Sequence, residues 1–308
     1  MTLPKQAAAV LRWGAKKAST RRGRASLLRR IVFGAIRKFR LTPVVAVDAD
    51  GIRYYVSTAD RDIAVATFSD RAAYDHHMME LAVELIERLT GRPALAGRQF
   101  VDIGANVGTA TIPAVKLFGA AGAICFEPDP QNFKLLRYNL IANDLEDTVT
   151  AINVGLSDTV GTAQLELSTQ NWGDHRVRRG PAAQDADRDV VAVRLERFDD
   201  AAREAGFDID SAGVVWVDTQ GHEGFVFAGA GTILESDVPV VVEYSPADLR
   251  TVGGLVLMNE IIAANYRTIV DLRASYAEGV TVSRNAKDIG EVEARYVGTA
   301  YTDLLLLK

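Results

Sequence analysis

Short apolar runs and longer stretches with apolar residues three or four positions apart alternate along the middle of the chain. The first pattern is typical of buried strands and the second of amphipathic helices. Apolar runs begin at Phe100, Ala123, Val149, Val214 and Val240, and helical patterns separate several of them. This alternation predicts an α/β fold with a mostly parallel sheet.

Four further elements follow from the same patterns before and after this core. They are a hairpin with strands 44–47 and 52–56 around Asp50-Gly51, a helix over 74–89, a strand over 266–272 and a terminal strand over 301–307. Asp-Gly between two alternating apolar runs is a strong hairpin signal, and Gly91 after the helix is a stop signal. The predicted strand after residue 148 extends to Val154.

The first 40 residues have a different character, because they contain twelve Lys or Arg residues and no acidic residue. The rest of the chain carries 23 basic and 40 acidic residues. An apolar stripe at helical spacing runs through the segment and comprises Leu28, Ile31, Val32, Ala35, Ile36 and Phe39. We interpret it as a basic amphipathic helix. The stripe could dock on the protein body or stay partly disordered, or it could lie on an anionic membrane surface; nucleic acid is not favoured.

Candidate chemistry is concentrated in the segment FVDIGANVGTAT, where a predicted strand runs into a glycine-spaced turn and then a helix. Gly104, Asn106 and Gly108 allow the backbone to bend sharply and to approach a ligand. Glu127 ends the next strand 23 residues after Gly104, at a distance that suits ribose hydroxyls. Together these residues predict an adenosine-containing ligand, although the glycines alone could serve only a tight turn.

Two departures from the dinucleotide fingerprint G-x-G-x-x-G indicate which adenosine ligand binds. Asn106 and Thr109 stand at its second and third glycine positions, which disfavours a pyrophosphate. Asp102 would repel phosphates, but it can accept hydrogen bonds from the cationic amino group of a methionine moiety. These residues favour S-adenosylmethionine, and an NAD-dependent oxidoreductase is the alternative.

Several ordered blocks carry a resemblance to a known family. They are FVDIGANVGTAT, ICFEPDPQNFKLLRYNLIAN, VGLSDTVGTAQL, VWVDTQGHEGFVFAGAGTIL and VVVEYSP. Over residues 74–244 the chain resembles the FkbM-type family of S-adenosylmethionine-dependent methyltransferases. The resemblance implies a doubly wound, Rossmann-like class I methyltransferase fold, here with an antiparallel C-terminal strand. It also implies methylation, typically of a hydroxyl on a small molecule, sugar or natural-product scaffold.

The resemblance also indicates where the adenine ring would lie. This architecture usually holds the ring at the turn after the third strand, here Gly155 to Asp158. Leu156 is expected to cover the adenine face, and Asp158 or a nearby backbone group to read its amino edge. Ser157 and Pro128 are the other residues of this part of the chain that are expected to bind the cofactor. A plain turn with a solvated Asp158 is the alternative.

The block after residue 214 is the second site of expected chemistry. The family usually reads Lys, aliphatic, Asp, aliphatic, Glu, Gly, any residue, Glu in this place. The chain keeps Asp218, Gly221 and Glu223 but has Trp216 for the lysine and Gln220 for the first glutamate. These departures affect the charge around the acceptor and the assignment of a base.

Transfer to a hydroxyl requires removal of its proton, so a base is expected at this strand end. The candidates are Asp218, His222 and Glu223, with Glu243 as a further possibility. Asp218 with Glu223 or Glu243 could instead hold a divalent cation. No tight carboxylate cluster is visible in the sequence, so we predict catalysis without a metal.

Residues 168–180, STQNWGDHRVRRG, interrupt the α/β rhythm and are expected to form a loop near the acceptor. Asn171, Trp172, Asp174 and His175 could form a lid. The cations Arg176, Arg178 and Arg179 could attract an anionic acceptor, although a solvated loop explains them equally simply.

The predicted organisation is a basic arm over residues 1–40, a lead-in hairpin and helix over 41–96 and a methyltransferase domain over 97–308. The single cysteine, Cys125, lies in an apolar strand and is expected to be a buried hydrophobe. No apolar run is long enough to span a membrane, so we expect a cytoplasmic enzyme, with peripheral membrane contact through the arm left open. A noncatalytic, membrane-associated binding module is the remaining alternative.

Overall fold

The structure is a computed structural model that describes residues 21–178 and 189–308. Its helices are α1 (Arg21–Lys38), α2 (Ile63–Asp70), α3 (His76–Thr90), α4 (Thr111–Lys116), α5 (Pro130–Ala142), α6 (Phe198–Glu204), α7 (Glu223–Ala228), α8 (Gly231–Glu235), α9 (Pro246–Thr251), α10 (Leu255–Asn265), α11 (Leu272–Glu278) and α12 (Ile289–Arg295). Short 3-10 turns lie at Ile209–Ser211 and Ala286–Asp288. Its strands are β1 (Val44–Ala49), β2 (Ile52–Ser57), β3 (Gln99–Ile103), β4 (Gly122–Phe126), β5 (Val149–Ile152), β6 (Gly155–Leu156), β7 (Gly161–Glu166), β8 (Arg176–Val177), β9 (Val190–Glu196), β10 (Ala212–Val217), β11 (Val240–Tyr244), β12 (Thr268–Asp271), β13 (Ser283–Asn285) and β14 (Thr302–Leu307).

An eight-stranded sheet in the order β13-β12-β14-β11-β10-β3-β4-β5 forms the centre of the fold. Strands β5, β4, β3, β10 and β11 are mutually parallel, and β14 runs antiparallel between β11 and β12. Alternate strand residues point into two hydrophobic cores, one on each face of the sheet, and helices cover both faces. The predicted doubly wound fold with an antiparallel C-terminal strand is therefore confirmed.

The hairpin, the first long helix and the terminal strand lie where the hydrophobic pattern predicts them. Asp50 and Gly51 form the hairpin turn with φ values of 51° and 79°, as a two-residue turn of this hand requires. Helix α3 ends at Gly91 in the left-handed conformation. The terminal strand is β14, and Cys125 is fully buried.

Two predicted strands are shorter than expected. The strand that was extended to Val154 ends at Ile152, because Gly155 and Leu156 leave the central sheet and pair with β9. The strand over 266–272 ends at Asp271, because that carboxylate caps helix α11 by accepting a hydrogen bond from Ala274 N at 3.0 Å. In both places a local competing partner takes the backbone out of the sheet.

A second sheet in the order β6-β9-β7-β8 lies beside the central one, and the hydrophobic pattern did not predict it. Its small core comprises Leu165, Val177, Val193 and Leu195. Strand β8 of this sheet falls within the predicted loop over 168–180, and residues 168–175 form the loop that precedes it. Arg179 and Gly180 of the predicted loop lie outside the described residues.

Helix α1 contacts helix α2 through a narrow face. Phe33 is 1% exposed, and its ring centroid lies 5.2 Å from that of Phe68. Ser26 Oγ donates to Asp70 Oδ1 at 2.7 Å, and the Arg29 guanidinium donates to the Ser69 carbonyl. Four members of the predicted stripe stay exposed, namely Leu28, Ile31, Val32 and Phe39. Helix α1 therefore docks on the body through Phe33 and not through most of the predicted stripe, of which only Ala35 and Ile36 are half-buried. Within residues 21–178 and 189–308, no helix has the length and apolar composition needed to cross a membrane.

Candidate active site

The carboxyl ends of β3 and β10 meet where the chain order of the sheet reverses, and open α/β sheets bind ligands in the crevice at such a point. Gly104 follows β3 and Asp218 follows β10. A Cβ on Gly104 would lie 1.8 Å from the Asp218 carbonyl oxygen, and Gly104 has a φ of +96°. Both facts require glycine at this position. The first glycine of the turn therefore allows the two strand ends to approach each other.

Two cavities open at these strand ends, one of about 410 Å³ and one of about 50 Å³. We call them the large cavity and the small cavity. Both are lined by Gly104, Asn106, Gly173, Asp218 and Gln220, which we call the shared wall. A ligand that occupied both cavities would therefore pass Asp218.

Gly108 lines neither cavity. Its φ is +92°, and a Cβ would lie 2.9 Å from Ile112 Cδ1 and 3.0 Å from Leu136 Cδ1. The structure therefore gives this predicted cofactor residue a packing role, since it lets helices α4 and α5 lie close to the turn.

Glu127 stands at the end of β4 and lines the small cavity. Its two carboxyl oxygens accept hydrogen bonds from Asn106 N and Asp129 N, each at 2.8 Å. Burial raises the pKa of Glu127 to about 8, although these two hydrogen bonds oppose the shift. The predicted ribose carboxylate is thus tied to the glycine turn.

Asp102 lines the large cavity from inside β3 and is almost fully buried. Its Oδ2 accepts a hydrogen bond from Thr111 Oγ1 at 2.5 Å. Burial raises the pKa of Asp102 to about 7, against the effect of that hydrogen bond. A buried carboxyl in this state gains most from a cationic partner, which is the role predicted for it.

The walls of the small cavity are mainly apolar on the side of the second sheet. Leu156 and Pro128 line it together with Phe126 and Val154. Ser157 does not line it; Ser157 Oγ lies 3.0 Å from His222 Nε2, behind Leu156. The predicted adenine residue Leu156 and the predicted ribose carboxylate Glu127 thus line the same cavity.

Asp218 and Glu243 form a pair of carboxyl groups at the floor of the large cavity. The Gln220 side-chain nitrogen donates to Asp218 Oδ1 at 2.6 Å and to Glu243 Oε2 at 2.9 Å. Asp218 is reached by solvent through the cavity, yet protein atoms surround it, and this desolvation raises its pKa. Burial and the neighbouring Asp218 charge raise the pKa of Glu243 well above its usual value. The pair therefore holds a proton more tightly than isolated carboxyl groups do.

Glu223 and His222 follow Asp218 closely in the chain, but neither lines the large cavity. Glu223 Oε1 accepts hydrogen bonds from Thr219 N at 2.9 Å and Gly221 N at 3.1 Å, and the residue lines neither cavity. Burial raises the pKa of Glu223 to about 7. His222 is buried and lines the small cavity. The structure therefore places only Asp218, of the three predicted catalytic residues, against the large cavity.

One oxygen each of Asp218, Glu223 and Glu243 lies within 4.8 Å of the other two, so the described residues do contain a carboxylate cluster. These residues were candidate cation ligands, but no tight cluster was predicted, because Glu243 comes close to the other two only through the pairing of β10 with β11. The Gln220 nitrogen already lies between Asp218 and Glu243, where it supplies a hydrogen-bond donor to both.

Carboxylates dominate the lining of the large cavity. They are Asp62, Asp75, Asp102, Asp174, Asp218, Glu243, Asp248 and Asp303, against the cations Arg176 and Arg273. Arg176 contacts Asp174 and Asp248 at 2.6 Å each, and Arg273 contacts Asp75 at 2.8 Å and Asp303 at 2.7 Å. Each of the two guanidinium groups is thus paired with two carboxylates.

The predicted attraction of an anionic acceptor by the arginine run is not supported by these contacts. Arg176 is doubly paired, and Arg178 contacts Glu166 at 2.9 Å. Arg179 lies outside the described residues. The described part of the run serves to hold the loop.

The loop residues that were expected to form a lid divide between the two cavities. Asn171 and Asp174 line the large cavity, and Trp172 and His175 line the small one. The Trp172 carbonyl accepts hydrogen bonds from Asn106 Nδ2 and Asn132 Nδ2 at 3.1 Å each. The loop is therefore fastened directly to the glycine turn.

Sequence reasoning missed the C-terminal contribution to the large cavity. Arg273, Tyr301 and Asp303 all line it, and the Arg273 guanidinium lies 4.6 Å from the Tyr301 ring centroid. One signal was available, since Asp303 is an acidic residue directly before the apolar run LLLL. Arg273 carried no comparable signal.

Residues 102–267, more than half of the chain, match the family described as the methyltransferase FkbM domain. The chain belongs to the methyltransferase FkbM family. The resemblance found in the sequence blocks is thus confirmed, and the protein is a methyltransferase whose cofactor is S-adenosylmethionine. The NAD-dependent oxidoreductase and the noncatalytic module are not favoured.

Two curated relatives resemble this FkbM methyltransferase. The 2-O-methyltransferase NoeI of Sinorhizobium fredii is 28% identical over 207 residues, which cover 61% of this chain and 79% of that protein. The methyltransferase sdnD of Sordaria araneosa is 29% identical over 119 residues, or 39% of this chain and 40% of that protein.

Among solved structures, the methyltransferase FkbM from Methylobacillus flagellatus KT aligns with 15% identity and a TM-score of 0.41. The alignment covers 80% of this chain and 55% of that one. The match therefore spans little more than half the length of the solved protein.

Proposed function

We propose that this methyltransferase methylates a hydroxyl oxygen of a small-molecule or glycan acceptor that enters the large cavity. The observation that carries the proposal is the shared wall, in which Asp218 lies between the small, mainly apolar cavity that contains Glu127 and the open polar large cavity. When bound, S-adenosylmethionine supplies a methyl group already activated by its sulfonium. The relative NoeI is named as a 2-O-methyltransferase, which supports oxygen as the acceptor atom.

For the cofactor, we propose that Glu127 accepts hydrogen bonds from the ribose hydroxyls and that Leu156 and Pro128 flank the adenine. Asp102 would receive the cationic amino group of the methionine part. The small cavity has room for about two water molecules. We therefore expect the loop carrying Trp172 and His175 to shift when the nucleoside enters.

For the transfer, we propose Asp218 as the base, with Glu243 and Gln220 as its immediate partners. A carboxyl group with a raised pKa is a better proton acceptor near neutral pH than an ordinary one. Glu223 would act as a positioning residue, because it holds the turn that carries Asp218. His222 would support the cofactor side, since it lines the small cavity.

The charges of the large cavity also limit the acceptor. Eight carboxyl groups line the cavity, and both arginines are already paired with carboxylates. Even with Glu243 protonated, as its raised pKa favours, no unpaired cation among the described lining residues is left to attract an anionic acceptor. A neutral polyhydroxylated acceptor suits this lining better. Nucleic acid suits the cavity less well, because its phosphates are anionic.

For the basic arm over residues 1–40, we propose an anionic membrane surface as the partner.

A transfer screen tests the proposed function. S-adenosylmethionine with an isotopically labelled methyl group is incubated with the protein and cell extracts, and labelled products are identified by mass spectrometry. We expect a labelled methyl ether, whose formation requires Asp218. Label found on nitrogen, or on a phosphate- or carboxylate-rich acceptor, would contradict the proposal.

A further inference from the structure

Helix α1 has two apolar faces, and only one of them is covered. The inner face carries Phe33, which is 1% exposed against helix α2. The outer face carries Leu27, Leu28, Ile31, Val32 and Phe39, whose exposed fractions range from 44% to 68%. Leu41, just beyond the helix, is 69% exposed. No described residue covers this outer face.

An exposed stripe of this size is unusual for a helix that is already packed on a protein body. Packing normally turns the more apolar side of a helix inward. Here the contacts of Ser26, Arg29 and Phe33 with helix α2 fix the opposite orientation, so the apolar stripe faces outward. The helix is therefore held in place with its larger apolar side available to a partner.

The charges beside the outer face indicate the chemistry of that partner. Arg30 and Lys38 are exposed, and Lys38 Nζ lies 5.7 Å from the Phe39 ring centroid. Residues 1–40 contain twelve basic residues and no acid. Apolar side chains bordered by cations match the boundary between lipid headgroups and acyl chains of an anionic bilayer.

Other occupants match these observations less well. Nucleic acid phosphates would be bound by the cations alone and would leave the apolar stripe unused. The same helix of a second copy would bring a second set of cations against the first.

We infer that the outer face of helix α1 is a docking surface for an anionic membrane, with the helix lying in the plane of the headgroups. This deepens the membrane partner proposed above and does not depend on the transfer chemistry. Leu28, Ile31 and Phe39 enter the headgroup boundary, and Arg30 and Lys38 contact the lipid phosphates. Phe33 holds the helix to the protein body, so the whole enzyme is carried to the surface.

Vesicle cosedimentation of the full chain tests the inference. The probes are phosphatidylcholine vesicles with and without phosphatidylglycerol, at low and high salt. We expect binding to the anionic vesicles alone, weakening as salt is added. Absence of binding to anionic vesicles at low salt would overturn the inference.

Paired variants separate the apolar contribution from general surface effects. Leu28→Ser with Ile31→Ser should lower vesicle affinity about tenfold or more, because two side chains lose their burial in lipid. Val256→Ser with Val297→Ser is the matched control, since these valines are 69% and 73% exposed elsewhere on the surface. Equal losses in the two pairs, or no loss in the first, would contradict the assigned face.

The cations have their own pair. Arg30→Gln with Lys38→Gln should weaken binding to anionic vesicles and reduce its salt dependence, whereas the exposed control pair Arg92→Gln with Lys287→Gln should not. Sedimentation velocity shows whether the helix instead mediates self-association. If Leu28→Ser with Ile31→Ser dissociates an oligomer and leaves vesicle binding unchanged, the partner is a second copy and the inference is wrong.

Calorimetry with S-adenosylmethionine completes the test. Retained cofactor binding in the variants shows that they are folded. If cofactor binding fails in the unmodified chain while vesicle binding persists, the proposed function fails and the docking surface stands.

Discussion

The small and large cavities share one wall but are assembled in different ways. About half of the lining of the small cavity comes from the ends of β3 and β4 and the turn after β5, which follow one another in the chain. The second sheet, the loop that carries Trp172 and the turn after β10 supply most of the rest. The large cavity draws on segments from Asp62 to Asp303. The small cavity is mainly apolar, with Glu127 and the shared Asp218 as its carboxyl groups, whereas eight carboxyl groups line the large cavity. On the proposed assignment, the cofactor is held mainly by segments close together in the chain and the acceptor by segments from most of its length.

Replacing Asp218, in the wall that the two cavities share, is expected to have the largest effect on turnover. Asp218→Asn preserves the size of the side chain and removes the proposed base, so we expect turnover to fall by on the order of a hundredfold or more. Cofactor affinity should change much less. Turnover is measured with labelled cofactor and an identified acceptor, and affinity by calorimetry.

The matched control is Asp248→Asn, because Asp248 lines the same cavity but is paired with Arg176. We expect only a few-fold change in turnover, of about the size typical for a group outside the reacting centre. Equal losses in both variants would mean that the acidic field, and not one base, drives the transfer.

Replacing Glu127 probes the other cavity. Glu127→Gln replaces one carboxyl oxygen with an amide nitrogen, which cannot accept a hydrogen bond from a ribose hydroxyl or from the backbone of the glycine turn. Cofactor binding should therefore weaken by about 1 to 3 kcal/mol, with turnover at saturation nearly retained. Calorimetry gives the affinity. A large loss of turnover at saturating cofactor would place the reacting centre beside Glu127 in the small cavity and would contradict its assignment to Asp218.

The same variant has a pH signature. The pKa of Glu127 is raised by burial from 4.5 to about 8, so the unfolded chain releases this proton at lower pH than the folded one. The folded state is therefore progressively disfavoured as pH rises from about 4.5 to 8. Glu127→Gln should be more stable than the unmodified protein at pH 9 and similar at pH 4, as thermal unfolding will show. Glu223→Gln should share this gain, since the pKa of Glu223 is raised to about 7, but it should leave cofactor affinity unchanged.

His222 should give a smaller effect. His222→Ala removes a side chain of the small cavity, so we expect cofactor affinity to fall a few-fold, by about 1 kcal/mol, the usual size of one lost hydrogen bond. The shape of the pH–rate profile should not change. A turnover loss that is restored at higher pH would instead identify His222 as the base.

The smallest expected effect is that of a chelator. The Gln220 nitrogen donates to both Asp218 and Glu243, so we expect turnover to be unchanged after metal removal. Loss of turnover that Mg²⁺ restores would show that the three-carboxylate cluster holds a catalytic cation.

The contrast between the cavities also explains what the sequence could predict. Residues close together in the chain predict the strands, the glycine turn and the position of Glu127. The order of these elements in turn predicts the doubly wound fold. Glycine roles were only half visible, because the contacts that require Gly104 and Gly108 come from Asp218 and Leu136. The second sheet was missed because β6 and β8 have only two residues each and β7 is mostly exposed, so none of them forms an apolar run.

The acceptor side could not be predicted in the same way. Arg273 reaches the cavity from helix α11, which follows β12, and Asp303 reaches it from β14. Their pairing depends on the order of the strands in the sheet. Sequence adjacency also misled, since His222 and Glu223 directly follow the turn of Asp218 but face the small cavity and the turn itself. The orientation of helix α1 was equally hidden, because its most apolar stripe is not the side that packs.

A structure of the protein with S-adenosylhomocysteine tests the central claim most directly. We predict adenine against Leu156, ribose hydroxyls within hydrogen-bonding distance of Glu127, and the sulfur at the shared wall facing Asp218 and the large cavity. Adenosine bound in the large cavity, or a sulfur directed away from Asp218, would contradict the assignment of the two cavities.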